Sequence, residues 1–510
     1  MTSGGLPLVD NLGESGDPID TVARFLDLPW LVFLDSAAGG ARPGESHPLG
    51  RYSFLAADPA RVVRSKGRAT ELGGPGLAWT AVDRDPLLAV RDLLAPFATE
   101  PVPGLPPFQG GAAGYVGYDY GAVLERLPAP RYDDLAIPDV VLGLYDWVVA
   151  WDHRVGTAWI ISTGLPAEGA AREARARERL EMVRARLRGA GDGAGRVVGG
   201  QILRPRPDAA EGAGAPDPGA EAPSYPVLGV EGAERIGLRS TFTHRGYLDA
   251  VTRVKDYIVA GDIFQANLSQ RLQAPAVEPS FTLYRRLRQR NPAAFAAYLD
   301  AGQLQVLSAS PERFLRLDQR GRQVETRPIK GTRPRGLGPM HDAALGRALA
   351  ESEKDRAENV MIVDLLRNDL SRVCRPGTVR VPELFALEQL PTVHHLVSTV
   401  VGELDPACDA VDLLRAAFPG GSITGAPKVR AMEIIAELEP SRRGVYCGSI
   451  GYLSVSGAMD TSIVIRSYLA LRGQVYFQAG GGIVADSDPE LEYRETLDKA
   501  RALIAALADA

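Results

Sequence analysis

Hydrophobic and polar residues recur with two different periods along this chain. Valine, tryptophan, tyrosine and isoleucine occur at strand spacing in residues 140–163, and residues 462–471 and 474–484 show a similar pattern. Because successive side chains of a strand point to opposite faces, these segments predict a β-sheet. Apolar residues recur at helical spacing in residues 244–261 and 492–508. With no internal repeat, the pattern predicts an α+β fold.

A change in composition near the middle of the chain indicates how it is divided. Residues 170–188 are rich in helix formers and charge, which is typical of a solvated helix. Residues 189–223 then turn to glycine, alanine, proline and aspartate with few aliphatic side chains, as flexible linkers do. We therefore predict an N-terminal region 1–188, a linker 189–240 and a C-terminal catalytic region 241–510.

Composition narrows the class of protein. A chain of 510 residues can hold two or more domains, and its net charge of -6 argues against a general nucleic-acid binder. The first 20 residues lack the basic and apolar regions of a secretory signal, and no run of about 18 apolar residues occurs, so we expect a cytoplasmic protein. Cys374, Cys408 and Cys447 are too widely spaced for a disulfide framework or a cysteine zinc site. Any metal should therefore be a hard cation bound by oxygen.

Two predicted helices each carry a pair of carboxylates at positions i and i+3. Asp355 and Glu358 form one pair, and Glu492 and Glu495 form the other. Side chains at this spacing lie on one face of a helix, so the two pairs could build a Mg²⁺ site that water and a substrate carboxylate complete. The alternative is ordinary surface charge, since Glu495 and Lys499 also have the i,i+4 spacing of a helix salt bridge.

Two glycine-rich segments could bring backbone close to a ligand. Residues 418–435 place glycines and a proline ahead of a helical pattern, so that N–H groups could face a carboxylate or phosphate. This is not a P-loop, because Ala426 and Pro427 follow Gly425 where lysine and a hydroxyl residue would be needed. A simple glycine turn entering a helix is the alternative. The second segment, residues 478–488, follows a predicted strand and permits close backbone approach.

Lys330 stands in the segment ETRPIKGTRPRG, between Ile329 and Gly331. It is either a solvated loop residue or an amine held in a cleft for chemistry. These twelve residues alone favour the first interpretation.

A series of segments, in this order, resembles the chorismate-utilising enzymes that include anthranilate synthase component I. The segments are SASPERF, PIKGTRPRG, AENVMIVDLLRNDL, HHLVSTV, PGGSITGAPKVRAMEII, GSIGYLS, IVIRS and AGGGIVADSDPELEYRETLDKA. Upstream, VFLDSA, GRYSFLAADP and FQGGAAGYVGYDYG resemble the N-terminal part of the same family. The resemblance implies antiparallel sheets packed as a sandwich with helices on the outside.

Lys330 indicates the branch of that family. Anthranilate synthases resemble PIAGT at this point, whereas the branch that aminates chorismate at C4, on the route to 4-aminobenzoate and folate, typically has PIKGT. The resemblance therefore implies that Lys330 attacks C2 of chorismate as a nucleophile. Gln265 stands where isochorismate-forming relatives carry a lysine base, and a glutamine cannot deprotonate water.

The resemblance also implies the other site residues. Glu312 matches a general acid that must have a raised pKa, and His395 matches an active-site histidine. The groups expected to hold Mg²⁺ are Glu358 and Glu495, with Asp355 and Glu492 in support. The groups expected to contact chorismate are Gly421, Ser422, Thr424, Gly425, Tyr452, Arg466, Gly481, Gly482 and Lys499.

Two partners follow from the resemblance. Asp35, Ser36, Arg51, Tyr52 and Ser53 match a tryptophan pocket, with Asp35 in place of the usual glutamate, so tryptophan is expected as a structural ligand. No cysteine lies in the glycine-flanked turn of a glutaminase, so a separate glutamine amidotransferase subunit is expected to supply ammonia. Two alternatives stay open: anthranilate synthase component I, and a non-catalytic relative that binds chorismate or tryptophan.

Overall fold

The computed structural model describes residues 6–14, 16–36, 49–189, 220–318, 322–389 and 393–509. Its strands are β1 (Leu8–Glu14), β2 (Val32–Asp35), β3 (Tyr52–Ala56), β4 (Arg61–Lys66), β5 (Ala69–Gly74), β6 (Leu77–Val82), β7 (Gly111–Val116), β8 (Val140–Tyr145), β9 (Trp147–Asp152), β10 (Thr157–Ser162), β11 (Tyr225–Pro226), β12 (Arg239–Ser240), β13 (Gln265–Pro275), β14 (Phe295–Asp300), β15 (Leu304–Ser310), β16 (Arg313–Leu317), β17 (Gln323–Thr326), β18 (Ile329–Pro334), β19 (Arg380–Gln389), β20 (Val393–Glu403), β21 (Gly425–Ala426), β22 (Ser449–Ser454), β23 (Met459–Ile463), β24 (Ser467–Leu471) and β25 (Gln474–Ile483). The helices are α1 (Pro18–Val22), α2 (Pro86–Leu94), α3 (Gly121–Leu124), α4 (Gly169–Leu187), α5 (His244–Val259), α6 (Ser280–Arg290), α7 (Pro339–Ala350), α8 (Glu353–Ser371), α9 (Ala410–Ala417), α10 (Lys428–Leu438) and α11 (Pro489–Ala508). The strands and helices predicted from periodicity in residues 140–163, 244–261 and 492–508 are thereby confirmed.

These strands form two large antiparallel sheets. The first has the order β1-β10-β9-β3-β2-β14-β15-β24-β25-β13-β12-β11, with β21 also paired to β13. The second has the order β18-β20-β17-β16-β23-β22-β7-β8-β4-β5-β6, with β19 also paired to β20. Neighbouring strands in both sheets run antiparallel.

Alternation along the strands divides the apolar side chains between three layers. On β3, Phe54 packs between the two sheets, whereas its neighbour Leu55 packs toward the outer helices. On β4, Val62 faces the space between the sheets and Val63 faces α2 and α8. The predicted sandwich with helices on the outside is confirmed. No helix in the described ranges is both long and apolar enough to cross a bilayer.

The N-terminal and C-terminal regions predicted from the sequence share both sheets. β2 pairs with β14 in the first sheet, and β7 pairs with β22 in the second. The predicted linker also differs from the structure in its second half. Residues 190–219 lie outside the described residues, but β11 and β12 extend the first sheet, and Val227 and Leu238 are buried in its outer core. The folded C-terminal part therefore begins before residue 241.

Two helix starts bring carboxylates to the edge of this sandwich. The Ser352 side chain caps α8 by accepting a hydrogen bond from the backbone N–H of Asp355 at 3.3 Å. Asp488 caps α11 in the same way, accepting from the N–H of Leu491 at 3.0 Å. α8 packs beside β18 and β20, and α11 packs on β25. The predicted carboxylate pairs thus lie in the first two turns of both helices, where the helix dipole favours negative charge.

Candidate active site

A cavity of about 710 Å³ lies where β13, β18, β20 and β25 meet α8 and α11. It contains side chains predicted for catalysis, substrate binding and metal binding from segments more than 180 residues apart in the chain. The predicted residues that line it are Glu312, Lys330, Asp355, Glu358, His395, Ser422, Arg466, Gly482, Glu495 and Lys499.

Lys330 reaches this cavity from a β-bulge. Between β18 and β20, Ile329 pairs with Val397 and Thr332 pairs with His395, so β18 contains one extra residue at this point. Gly331 within the bulge has φ of +87°, and a Cβ there would lie 2.8 Å from Leu349 Cδ1. Only glycine fits this backbone without displacing a neighbour. The bulge re-aims the strand so that Lys330 faces the cavity.

The surroundings of Lys330 favour a neutral amine. Burial lowers the pKa of Lys330, and the nearby Lys499 ammonium lowers it further, against the opposing pull of carboxylates such as Glu358. Arg327 and Arg333 are the arginines nearest to Lys330 in the chain. Both are engaged elsewhere, Arg327 with glutamates of β19 and Arg333 with Asp355 at 2.8 Å. The cation comes instead from α11.

Glu312 has the properties of a general acid. Burial raises its pKa to about 7, although a hydrogen bond from Ser422 and the charge of Lys330 oppose the shift. The backbone around it is held on both sides, because its N–H donates to Ser310 Oγ at 3.2 Å and its carbonyl accepts from the N–H of Ile463 at 3.1 Å. A substantial fraction of this carboxyl therefore stays protonated near neutral pH, as the sequence prediction required.

His395 lies on β20 directly opposite Thr332. The Thr332 hydroxyl lies 2.9 Å from Nδ1 of His395, and both residues line the cavity. The neighbouring His394 points the other way, where its Nε2 lies 2.8 Å from an oxygen of Asp342. Of the two adjacent histidines, His395 is therefore the one that lines the cavity.

Burial and neighbouring charges act together on the pKa values of the carboxylates on the two helices. Burial raises the pKa of Glu358, and the charges of Asp355 and Glu495 add to that rise. Burial would also raise the pKa of Glu495, but its 2.6 Å ion pair with Lys499 lowers it overall. Glu492 lies behind the cavity wall, where its Oε1 accepts a hydrogen bond from Ser487 at 2.6 Å.

These carboxylates fit a magnesium site whose remaining coordination positions are filled by water and substrate oxygens. Among the described residues, no group of three or more His, Cys, Asp or Glu side chains could hold a metal by itself. Mg²⁺ usually takes only one or two protein carboxylates and fills its other positions with water and substrate oxygens. Glu358 and Glu495 meet that requirement, because both are acidic oxygen donors on facing helices at one cavity.

Arg466 supplies a site for an anion. It has φ of +54°, lines the cavity, and its guanidinium has no ion-pair partner among the described residues. Burial lowers the pKa of Arg466, against the opposing influence of Tyr446 and Glu495. A guanidinium held at a cavity wall without a counterion is unfavourable, so a carboxylate ligand would stabilise this arrangement.

The structure corrects one predicted contact. Tyr452 does not line this cavity but stacks on Phe108, with ring centroids 4.8 Å apart, at a second cavity. Tyr446, six residues earlier, lines the cavity together with Arg466. The sequence analysis named Tyr452 alone, and the structure places Tyr446 at this cavity instead.

Most of the remaining predicted binding residues do not line the cavity but lie next to residues that do. In the loop 421–425, only Ser422 and Ile423 line the cavity. Thr424 accepts a hydrogen bond at 2.7 Å from the backbone N–H of Asn267, and Gly425 has φ of +156°. The residues that support the wall without lining it are Gly421, Thr424, Gly425 and Gly481.

Sequence reasoning missed one residue of β13. Gln265, the position compared with a lysine base, is buried against Gly482. A Cβ added at Gly482 would lie 1.8 Å from Gln265 Nε2. Asn267, two residues on and therefore on the same face of the strand, lines the cavity. The period of two in a strand was the signal that could have identified it.

The predicted tryptophan pocket forms the second cavity, of about 500 Å³. Asp35, Ser36, Arg51 and Tyr52 line it, whereas Ser53 lies behind and accepts a hydrogen bond from the N–H of Ser36 at 3.0 Å. Asp35 is already neutralised within the protein. Its Oδ2 lies 2.6 Å from Arg288 Nε and accepts a hydrogen bond from Tyr284 at 3.0 Å.

Comparisons with known proteins agree with this geometry. Residues 42–505 match the family described as chorismate binding enzyme. The chain is 43% identical over 480 residues to aminodeoxychorismate synthase component 1 of Salmonella typhimurium, covering 94% of this chain and 93% of that protein. It is 41% identical over 458 residues to anthranilate synthase component 1 of Thermus thermophilus, covering 90% and 89%. Overall identity therefore separates these two kinds of relative only weakly.

The fold agrees with a solved relative as well. The crystal structure of anthranilate synthase component I from Streptococcus pneumoniae is similar with a TM-score of 0.70 at 32% identity, covering 90% of this chain and 92% of that one. The predicted anthranilate synthase component I-like fold is confirmed. Because the family match spans most of the chain and the relatives align over nearly their whole length, this protein belongs to the chorismate binding enzyme family.

Proposed function

We propose that this protein aminates chorismate at C4 to give 4-amino-4-deoxychorismate, on the route to 4-aminobenzoate and folate. The observation that carries the proposal is the Lys330 amine, which lines the same cavity as the acid Glu312 and has a lowered pKa. Relatives 40% and 43% identical, from Escherichia coli and Salmonella typhimurium, are named aminodeoxychorismate synthase component 1. Groups with shifted pKa values in a cleft are characteristic of catalytic sites.

The charges of the cavity complement those of chorismate, which carries a ring carboxylate and an enolpyruvyl carboxylate. Arg466 and Tyr446 would bind the enolpyruvyl carboxylate, since the arginine has no other counterion among the described residues. Glu358 and Glu495 would hold Mg²⁺ near the ring carboxylate, with Asp355 and Glu492 in support. The ion would neutralise that carboxylate and withdraw electron density from the ring.

Lys330 and Glu312 would carry out the first chemical step. The neutral amine of Lys330 attacks C2, the two ring double bonds shift along the ring, and the bond from C4 to its hydroxyl breaks. Glu312 gives its proton to the departing oxygen, which leaves as water. His395, held by Thr332 at the same wall, would orient the reacting ring.

Ammonia would complete the reaction at C4. Its nitrogen forms a bond to C4, the double bonds shift back, and the neutral amine of Lys330 leaves C2. The Glu312 carboxylate takes the extra proton from the new amine, so the acid is restored. Overall, one ammonia is consumed and one water is released.

A separate glutamine amidotransferase subunit would supply the ammonia. Burial raises the pKa of Cys374, Cys408 and Cys447, so none of these thiols is an activated nucleophile of the kind a glutaminase needs. The purified chain should therefore use ammonium salts but form no product from glutamine.

The second cavity is proposed to hold tryptophan as a structural ligand. The apolar wall from Phe54 and Tyr452 suits an indole, but the charge of Asp35 is already balanced by Arg288, which weakens its attraction for the ligand ammonium. We therefore expect weak binding, which calorimetry with tryptophan tests. Tight binding would overturn this interpretation of Asp35.

The proposed function is tested by incubating the purified chain with chorismate, Mg²⁺ and an ammonium salt, and identifying the product by mass. The expected product is aminodeoxychorismate, with the enolpyruvyl group retained. Formation of anthranilate and pyruvate would overturn the proposal in favour of the anthranilate synthase reaction that the Thermus thermophilus relative is named for.

A further inference from the structure

The side chain of Asn267 differs from the other polar groups at the cavity wall. Many of the others are charged, and the carboxylates Asp355 and Glu495 are already paired with Arg333 and Lys499. Asn267 is uncharged and 8% exposed, and its Oδ1 is buried with no hydrogen-bond partner among the described residues. An amide oxygen left in this state is unfavourable unless a ligand satisfies it.

The backbone of Asn267 is fixed, so its side chain cannot leave this position easily. Its N–H donates to the carbonyl of Thr424 at 2.7 Å, and its carbonyl accepts from Arg443 Nη2 at 2.7 Å. Opposite it across the sheet stands Gly482, which also lines the cavity and against which Gln265 packs from the same face of β13. The carboxamide of Asn267 therefore belongs to a rigid wall of the cavity.

Asn267 is linked to Glu312 through the loop 421–425. Thr424, to which it is hydrogen-bonded, belongs to the same short loop as Ser422, whose hydroxyl hydrogen-bonds Glu312. Glu312 is the acid for the C4 oxygen in the proposed reaction. The unsatisfied carboxamide and the acid at C4 are thus connected through one loop of five residues.

We propose that the carboxamide of Asn267 binds the entering ammonia and directs it to C4. The inference rests on the proposed function and adds a residue for its second substrate. Chorismate offers carboxylates and an ether oxygen, which are acceptors, and donates only through the C4 hydroxyl that leaves. Ammonia has three N–H donors and one lone pair, so an amide oxygen can hold it while the lone pair faces carbon.

The test is Asn267→Leu, which keeps the volume of the side chain and removes its polar atoms. We expect the KM for ammonium to rise about tenfold, the scale of one lost hydrogen bond. The KM for chorismate and the rate of Lys330 adduct formation without ammonia should stay within about twofold of the wild type. Gln273→Leu, on the same strand outside the cavity, is the matched control and should change none of these values.

Two outcomes overturn the inference. An unchanged KM for ammonium shows that Asn267 does not bind ammonia, and equal losses in chorismate binding and adduct formation show that it only maintains the wall. If the leucine variant does not fold, Asn267→Ala is measured in the same way, because it also removes the amide and its smaller side chain fits the site. A wild type that forms no aminated product would instead refute the proposed function itself.

Discussion

The hydroxyl of Thr332 lies 2.9 Å from Nδ1 of His395, across the pair of strands β18 and β20. The contact joins the strand that carries Lys330 to the strand that carries the site histidine. Because the Thr332 hydroxyl can donate to Nδ1 or accept from it, the contact fixes the orientation of the ring in either tautomer.

Thr332→Val should therefore reduce kcat about tenfold, because it removes one hydrogen bond without changing the volume of the side chain. Thr332→Ser, which keeps the hydroxyl, should retain most of the activity. Steady-state rates at saturating chorismate and ammonium check this expectation. Equal activity of the valine and serine variants would show that the contact does not orient His395.

Lys330→Ala should bind chorismate almost as well as the wild type but lose more than about a hundredfold in aminodeoxychorismate formation, because the nucleophile is absent. It recreates the sequence PIAGT, so direct attack of ammonia at C2 should yield some anthranilate-type product. Intact-protein mass spectrometry with chorismate and no ammonia should detect an adduct in the wild type only. Lys255→Ala, on α5 and outside the cavity, serves as the control.

Gly331→Ala should abolish adduct formation although Lys330 is still present. The added Cβ would meet Leu349 and Asp355, and φ of +87° is unfavourable for alanine, so the bulge should rearrange and turn the amine away. Gly338→Ala is the matched control, since nothing lies within 4 Å of a Cβ there and its φ of −160° suits any residue. An active Gly331→Ala enzyme would mean that the bulge does not set the direction of Lys330.

The raised pKa of Glu312 predicts two effects of pH. Activity should fall as pH rises above about 7, because the acid loses the proton it must donate. The folded protein also holds this proton more tightly than the unfolded chain, whose ordinary carboxyl pKa is 4.5, so stability due to this group is lost as pH rises through about 7. Glu312→Gln should be inactive at every pH and should gain stability over the wild type at pH 8 but not at pH 4. Thermal unfolding at both pH values measures the difference.

Removal of divalent cations should abolish turnover, and Mg²⁺ should restore it. Glu358→Gln should require a higher Mg²⁺ concentration and keep its melting temperature, because the substitution removes one charge from a group of repelling carboxylates. Asp364→Asn, on the exposed face of the same helix, is the control. Undiminished activity in EDTA would exclude the proposed metal site.

Local patterns predicted the helices and strands that carry the site, because period and capping depend on neighbouring residues. The pairs Asp355 with Glu358 and Glu492 with Glu495 follow from helix geometry alone. The two pairs are more than 130 residues apart in the chain, so whether they meet depends on how α8 and α11 pack. Only the family resemblance predicted that they meet.

The contacts that local patterns did not predict have one physical origin. Lys499 lies beside Lys330 because α11 packs across β25, whereas Arg333, which is nearer in the chain, pairs with Asp355. Tyr446 and Tyr452 lie in the same short stretch of chain, and only the path of the backbone between them decides which faces the cavity. Long-range contacts of this kind have no signature in a local pattern.

The strand pairs β2 with β14 and β7 with β22 join the two halves of the chain within both sheets. A cut between residues 189 and 220 would leave each fragment with unpaired strand edges at the centre of both sheets rather than at their margins. The halves should therefore stay bound after such a cut and aggregate when produced alone. The N-terminal half could therefore be replaced only by a unit whose strands pair with β14 and β22 as β2 and β7 do.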